Sequence, residues 1–351
     1  MRFHALAQEC KSHNLTPLFI FGADYIPADL SESLYDKIIL PKISFNHAIS
    51  EFERGDLKTL HSQVVNYLLE CYLPEYFVES HVSSILSDFN IFKQKKGRKI
   101  KRVAVLRDIV GSPRKIEEFN SGPEKFLDSL KHQFSAILIA GMQSKFDVIK
   151  EYSFPETIQS KMSYIGYILN PFIKQELAEI YDVVISFGSG QNRESHIQFV
   201  INRLMPVLDA LNVSVCIFKG KYNMDHFSKC IYKSPKINIV DFSDRNSFLS
   251  TVSACKVCVL SGGYNTMMEA ISLSKQILLI RDGINTEIET RGESLSNYFA
   301  SINMDEDFSN KKLDSVVTCL LEKNENYVND FDFAGIKNFF KVISSDSYGT
   351  R

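Results

Sequence analysis

Two glycine-bearing turns hold the residues best suited to chemistry. One is Phe187-Gly188-Ser189-Gly190-Gln191-Asn192, the other Ser261-Gly262-Gly263-Tyr264-Asn265-Thr266. Each follows a short apolar run, and a helical pattern starts near Asn265 or Thr266. A helix N-terminus presents unpaired N–H groups and partial positive charge, so it binds phosphate without a cationic side chain. Glycine lets a diphosphate approach the backbone closely. A Gly-Gly step between strand and helix is also an ordinary turn, and both readings stand. Glu269 is double in the same way. Thr266-x-x-Glu269 has the pattern of a capping box. Its carboxylate also suits a ribose cis-diol, since it accepts two hydrogen bonds. Neither turn has the form GxxxxGK[ST] or GxGxxG, which gives no support to a P-loop or a standard dinucleotide site.

These turns need strands to deliver them. Short β-branched runs alternate with helical patterns almost throughout, which predicts α/β architecture with parallel sheets. In the first half we read strands at Pro17–Phe21, Lys37–Leu40, Val82–Leu86, Arg102–Leu106, Ala136–Ile139 and Ser163–Ile165. Helices lie between, around Leu57–Cys71 and Arg114–Leu130. The second series is Val183–Phe187, Ser214–Phe218, Ile237–Val240, Val257–Leu260 and Gln276–Ile280. Asn170-Pro171 breaks regular structure and is read as the hinge, giving domains 1–169 and 170–351. The expectation is two doubly wound domains facing each other across a cleft, with ligands beyond the carboxyl ends of the strands.

The composition narrows the partners. The chain has 351 residues, 44% hydrophobic and 23% charged, with a net charge of −2. That length suits two domains, and that charge leaves no electrostatic footprint for nucleic acid. No apolar stretch approaches ~18 residues, so no transmembrane helix is expected. Seven scattered cysteines fit a reducing cytoplasm. Cys255-x-x-Cys258 leads into a strand with no second metal-ligand pair, so it reads as buried thiols rather than a zinc site. The one strong charge cluster, residues 93–102, reads as a solvated loop, with contact to anionic lipid headgroups or an anionic acceptor as the sharper alternative.

The stretches "VVISFGSGQNRES", "INIVDFSDRNSFLSTVSACKVCVLSGGYNTMMEAISLSKQILLI" and "TEIETRGESL" resemble the C-terminal half of GT-B nucleotide-sugar glycosyltransferases. They are most similar to glycosyltransferase family 28, which includes the peptidoglycan N-acetylglucosaminyltransferase, and within it to bacterial proteins with a GGYNT-x-x-E block. "FIFGADY", "IILPKISF", "VAVLRDIVGSPRKIEEF" and "VIKEYSFPETIQSKMSYIGYILNP" extend the resemblance over nearly the whole chain. It implies that Gly188, Ser189 and Gly190 and the turn Ser261-Gly262-Gly263 cradle a diphosphate, with Asn265 and Thr266 at the helix start. It further implies that Glu269 holds the ribose, Phe242 meets the uracil, and Glu287 faces the donor sugar. Where such enzymes often have Gln, this chain has Ile288.

The resemblance is incomplete at the start. "MRFHALAQEC" matches only the first helix of the family, so its first strand and Gly-His loop are missing. Either the start lies upstream of Met1 or another segment fills the place. His4 is the nearest substitute for the loop histidine. Asp88 and the pair Arg107-Asp108 stand at strand ends on the acceptor side, with Asp108 the candidate base and a structural ion pair the alternative. The implied activity is inverting, metal-independent transfer from a UDP-sugar to a hydroxyl acceptor, without a cofactor. A nucleotide-sugar hydrolase or epimerase, or an inactive nucleotide-sugar-binding protein, are the alternatives.

Overall fold

A computed structural model of the chain describes residues 2–22, 36–40, 51–79, 100–110, 123–188, 194–220, 234–241, 244–306 and 309–345. The expected strand Val82–Leu86, with Asp88 and most of the basic cluster, lies outside these residues, as do Ser189, Gly190 and Phe242. The chain divides into two units, Met1–Ile168 together with Ala334–Arg351, and Leu169–Phe333. No helix among the described residues is long and apolar enough to cross a membrane.

In the first unit, β1 (Leu18–Gly22) and β2 (Asp36–Leu40) form a parallel pair. A second parallel sheet has the order β3-β4-β5-β6, from β3 (Tyr76–Glu79), β4 (Lys101–Arg107), β5 (Ala136–Ala140) and β6 (Met162–Tyr164). Ala104, Leu106, Ile137 and Ile139 pack on one core with Leu130 and Phe134. Val65 and Leu69 of the helix Glu51–Tyr72 join Ile20, Ile38 and Phe77, so this helix ties the strand pair to the larger sheet. Arg102, read from sequence in the solvated cluster, is instead buried within β4. Its Nη2 donates to Glu79 Oε1 at 3.1 Å, its Nε bonds the other carboxylate oxygen, and its guanidinium lies 4.4 Å from the Phe134 ring centre. Burial pushes the Glu79 carboxyl upward against the opposing pull of Arg102.

The second unit has one six-stranded parallel sheet. Its strands are β7 (Val183–Ser186), β8 (Val215–Lys219), β9 (Ile237–Asp241), β10 (Val257–Leu260), β11 (Gln276–Arg281) and β12 (Ala300–Asn303). They lie in the order β12-β11-β10-β7-β8-β9. Side chains alternate along each strand. Val183, Ile185, Val215, Ile217, Val257, Val259, Leu278 and Ile280 therefore share one face, covered by Ile197, Val200, Leu204, Leu313 and Val317 from helices. Val184, Cys216, Cys258, Ile277 and Leu279 are buried too, as a parallel sheet covered on both faces requires. Phe218 of β8 meets Phe248 of the helix Arg245–Ala254 edge to face on that side.

Every expected strand within the described residues is present, within one residue of its expected ends. β3 and β12 were not expected. The C-terminal helix Gly335–Ser344 was expected in the second domain but belongs to the first unit. Its contacts explain the change: Asn338 Nδ2 donates to Ile165 O at 2.9 Å, Tyr76 Oη to Ile343 O at 2.6 Å, and His13 stacks on Phe340. Gly335 makes the closest approach, for a Cβ there would lie 2.6 Å from the Tyr167 carbonyl oxygen. Gly335→Ala is therefore expected to cost about 1–3 kcal/mol of overpacking and to lower the melting temperature of the first unit by roughly 2–10 °C. Scanning calorimetry with unchanged melting would contradict this docking.

Candidate functional site

Within the second unit the strands run third, second, first, fourth, fifth, sixth across the sheet. β7 and β10 are neighbours, yet the chain leaves them in opposite directions. Ligands of open α/β sheets sit at such a reversal, beyond the strand ends. Ser186 and Leu260, the last residues of β7 and β10, are register partners. The stretch Phe187–Gly188 and the turn Ser261–Gly263 follow directly, so both glycine turns begin side by side at the reversal.

The two glycines of the second turn serve different ends. Gly262 has φ +79°, and a Cβ there would lie 2.9 Å from Leu279 Cδ1 and 3.1 Å from Ile288 Cγ2. The fold alone demands this glycine. Gly263 has φ −62° and ψ 134°, which any residue adopts, and no described atom lies within 4 Å of a Cβ placed there. It is exposed, and it caps the helix Tyr264–Ser272 with no described side chain bonded to the cap. The first N–H groups of a helix have no partner within it, so they are the donors that this turn can offer. Gly188 repeats the pattern with φ +66° and no described atom near its Cβ. Ser261 is buried, while Asn265 and Thr266 are half-buried in the first helical turn.

The helix starts at Tyr264, which moves Glu269 into its second turn. The capping-box reading fails on that count, because the cap is Gly263 rather than Thr266. Glu269 is buried and forms an ion pair with Arg245, the first residue of the helix Arg245–Ala254. That helix is capped by Asp244, which accepts from Ser247 N at 2.8 Å. Glu269 Oε2 is buried without a hydrogen-bond partner among the described atoms. Such an acceptor costs about 1–3 kcal/mol unless a donor reaches it.

The third component is the helix Thr286–Ser294 after β11. Asn285 caps it, accepting from Glu287 N at 3.1 Å. Asp282 Oδ1 orders the approach by accepting from the N–H groups of Ile284 and Asn285. Glu287 is partly exposed and accepts from Arg291 Nη2 at 2.9 Å. Arg291 is fully buried, and its Nη1 donates to Gly262 O at 2.8 Å. Ile288 is core, packed where a side chain on Gly262 would go. Glu289 is tied to Arg281 at 2.8 Å and to Gly283 N at 3.1 Å. Arg245 and Arg291 were missed in the sequence. Arg291 had a signal, since it follows Glu287 by four residues on one helix face; Arg245 had only the preceding cap residue.

The remaining candidates lie elsewhere in the two units. Cys255 and Cys258 are buried with their sulfurs 3.6 Å apart. Hydrogen bonding to Cys255, then burial, pushes the Cys258 thiol well up, and burial pushes Cys216 up to about 12, so these two hold their protons firmly. In the first unit, Asp108 is buried just past β4, accepts from Ile109 N at 2.9 Å, and lies where a Cβ on Gly141 would collide. Arg107 closes β4. His4 is buried on the helix Arg2–Glu9.

No protein-family profile matches the chain, and no curated protein matches it in sequence. Solved structures do match. A putative UDP-N-acetylglucosamine 2-epimerase from Listeria monocytogenes is similar at 10% identity and TM-score 0.67, covering 99% of this chain and 93% of that one. The spinosyn forosaminyltransferase SpnP is similar at 12% identity and TM-score 0.63, covering 97% and 90%. Arabidopsis thaliana UGT89C1 complexed with UDP-L-rhamnose is similar at 13% identity and TM-score 0.60, covering 97% and 89%. At these identities the likeness speaks for the fold: two parallel-sheet α/β units, matched along nearly the whole chain, make this a GT-B fold.

Proposed function

We propose that this protein is an inverting glycosyltransferase of the hexosyltransferase type, which moves a sugar from a UDP-sugar to a hydroxyl acceptor without a metal ion. The observation that carries this reading is Gly263, an exposed glycine with ordinary dihedrals and open space at the mouth of a helix with no side-chain cap, beside Gly188 at the strand-order reversal. Among the described residues nothing requires that glycine, whereas close approach of a diphosphate to the backbone would. Solved structures of the same fold hold nucleotide sugars, as with UDP-L-rhamnose on UGT89C1. The Ser261–Glu269 block supports the finer affinity with glycosyltransferase family 28.

In this reading the diphosphate lies against Gly188, Gly263 and the first turn through Asn265 and Thr266. Glu269 Oε2 accepts from the ribose, Phe242 meets the base, and Glu287 faces the sugar. The acceptor hydroxyl oxygen attacks the anomeric carbon while the bond from that carbon to the diphosphate oxygen breaks. Its proton passes to a base, for which Asp108 is the candidate ahead of His4. The charge left on UDP is met by helix N–H groups already in place. Asp241, the carboxylate at the end of β9, is engaged by Lys219 at 2.8 Å. A second reading, epimerase or hydrolase, is favoured by the TM-score of 0.67 to the Listeria protein. Incubation with UDP-sugars separates the readings: a transferase releases UDP only with acceptor, an epimerase or hydrolase turns over without one, and an inactive binder does neither.

Two substitutions test the assignment. Gly263→Val meets no backbone strain and no described atom within 4 Å of its Cβ, so the protein should fold and melt as the parent does. UDP affinity should fall by about a hundredfold or more while uridine affinity holds within about twofold. Equal weakening of both ligands would contradict the diphosphate cradle. Asp108→Asn should lower kcat by roughly 10²–10⁴ with UDP affinity unchanged. A variant with normal turnover would remove Asp108 as the base.

A further inference from the structure

Gly262 O and Gly263 N–H belong to one peptide unit. In a planar trans peptide these groups point in opposite directions. A peptide between two glycines has no Cβ on either side to hinder its rotation, so this is the bond in the turn most able to flip. A flip would turn the carbonyl oxygen outward in place of the N–H, and a phosphate would meet negative rather than positive partial charge.

One side chain stands against that flip. Arg291 is fully buried and donates from Nη1 to Gly262 O at 2.8 Å. Its Nη2 is held by Glu287 Oε1 at 2.9 Å, and its guanidinium carbon lies 5.8 Å from the centre of the Tyr264 ring. Gly292, the next residue, packs so closely that a Cβ on it would lie 2.9 Å from Arg281 Cδ. The guanidinium is thus held between Gly262 O and Glu287 beside the Tyr264 ring, and the next residue of the turn, Gly263, is exposed. We propose that Arg291 is a positioning residue that locks the Gly262–Gly263 peptide with its N–H outward, and so makes the turn select an anion. The proposal deepens the nucleotide reading above and rests on it for the identity of the anion. It also gives Glu287 a double role, since the residue assigned to the sugar holds the residue that aims the phosphate-binding N–H.

The test uses the whole chain with Arg291→Met and Arg291→Lys, each checked for folding by circular dichroism. Calorimetric titration with UDP and uridine should show UDP affinity about tenfold weaker in Arg291→Met, through loss of a preorganised donor, with uridine within about twofold. Arg291→Lys keeps a single-point contact in place of the fork and should fall between Met and the parent. A second readout needs no ligand: in protein labelled with ¹⁵N-glycine, the Gly263 amide signal, assigned from the Gly263→Val variant, should move in Arg291→Met. Equal weakening of UDP and uridine, or an unmoved Gly263 signal, would overturn the lock. A parent protein that binds no UDP would overturn the nucleotide reading instead, while the Gly263 signal would still decide whether Arg291 holds the peptide.

Discussion

Parallel strands cannot be joined by tight turns, so each must be followed by a crossover that runs back over a face of the sheet. Where successive crossovers lie on the same side, one element covers the next strand end. Only where they part is a strand end left open. In the second unit that parting falls between β7 and β10. The rest of the candidate site follows from it. Gly188 and Gly262 both have positive φ, and after Gly262 the next helix begins at Tyr264, close to the strand end. Gly263 then leaves the mouth of that helix clear.

Three buried or nearly buried arginines keep these elements in register. Arg102 fastens β4 to Glu79 on β3, Arg245 fastens one helix start to Glu269 on the next, and Arg291 fastens Glu287 to the glycine turn. A buried ion pair is a weak source of net stability, because desolvation offsets most of the attraction. Its geometric effect is larger. Removing one partner strands the other, so the Arg102 and Arg245 pairs strongly disfavour arrangements in which their two elements slide apart.

The sheet strands were legible because their β-branched, apolar runs leave little choice of conformation, as with Val183–Ser186 and Val257–Leu260. β3 and β12 were not. Tyr76–Glu79 has one buried residue of four, and so has Ala300–Asn303, since each lies at the edge of its sheet among the described residues. The glycine turns were legible as a pair, but their division of labour was not: it depends on Leu279 and Ile288 pressing on one glycine and open space facing the other. Arg245 was invisible because its partner is 24 residues away in sequence, whereas Arg291 lies one helical turn from its own. Glu269 suited two roles in the sequence because the choice turned on where the helix starts, and helix ends are the least sharply written part of a sequence.

The C-terminal helix Gly335–Ser344 groups with the first unit, not the second. In covalent terms the second unit is therefore an insertion within the first. A chain emerging from the ribosome has the whole of Leu169–Phe333 available before the piece that completes the first unit has been made. Tyr76, Ile165 and Tyr167 must wait for Ile343, Asn338 and Gly335, and until then the surfaces that receive the helix stay open to solvent and to helpers that bind nascent chains.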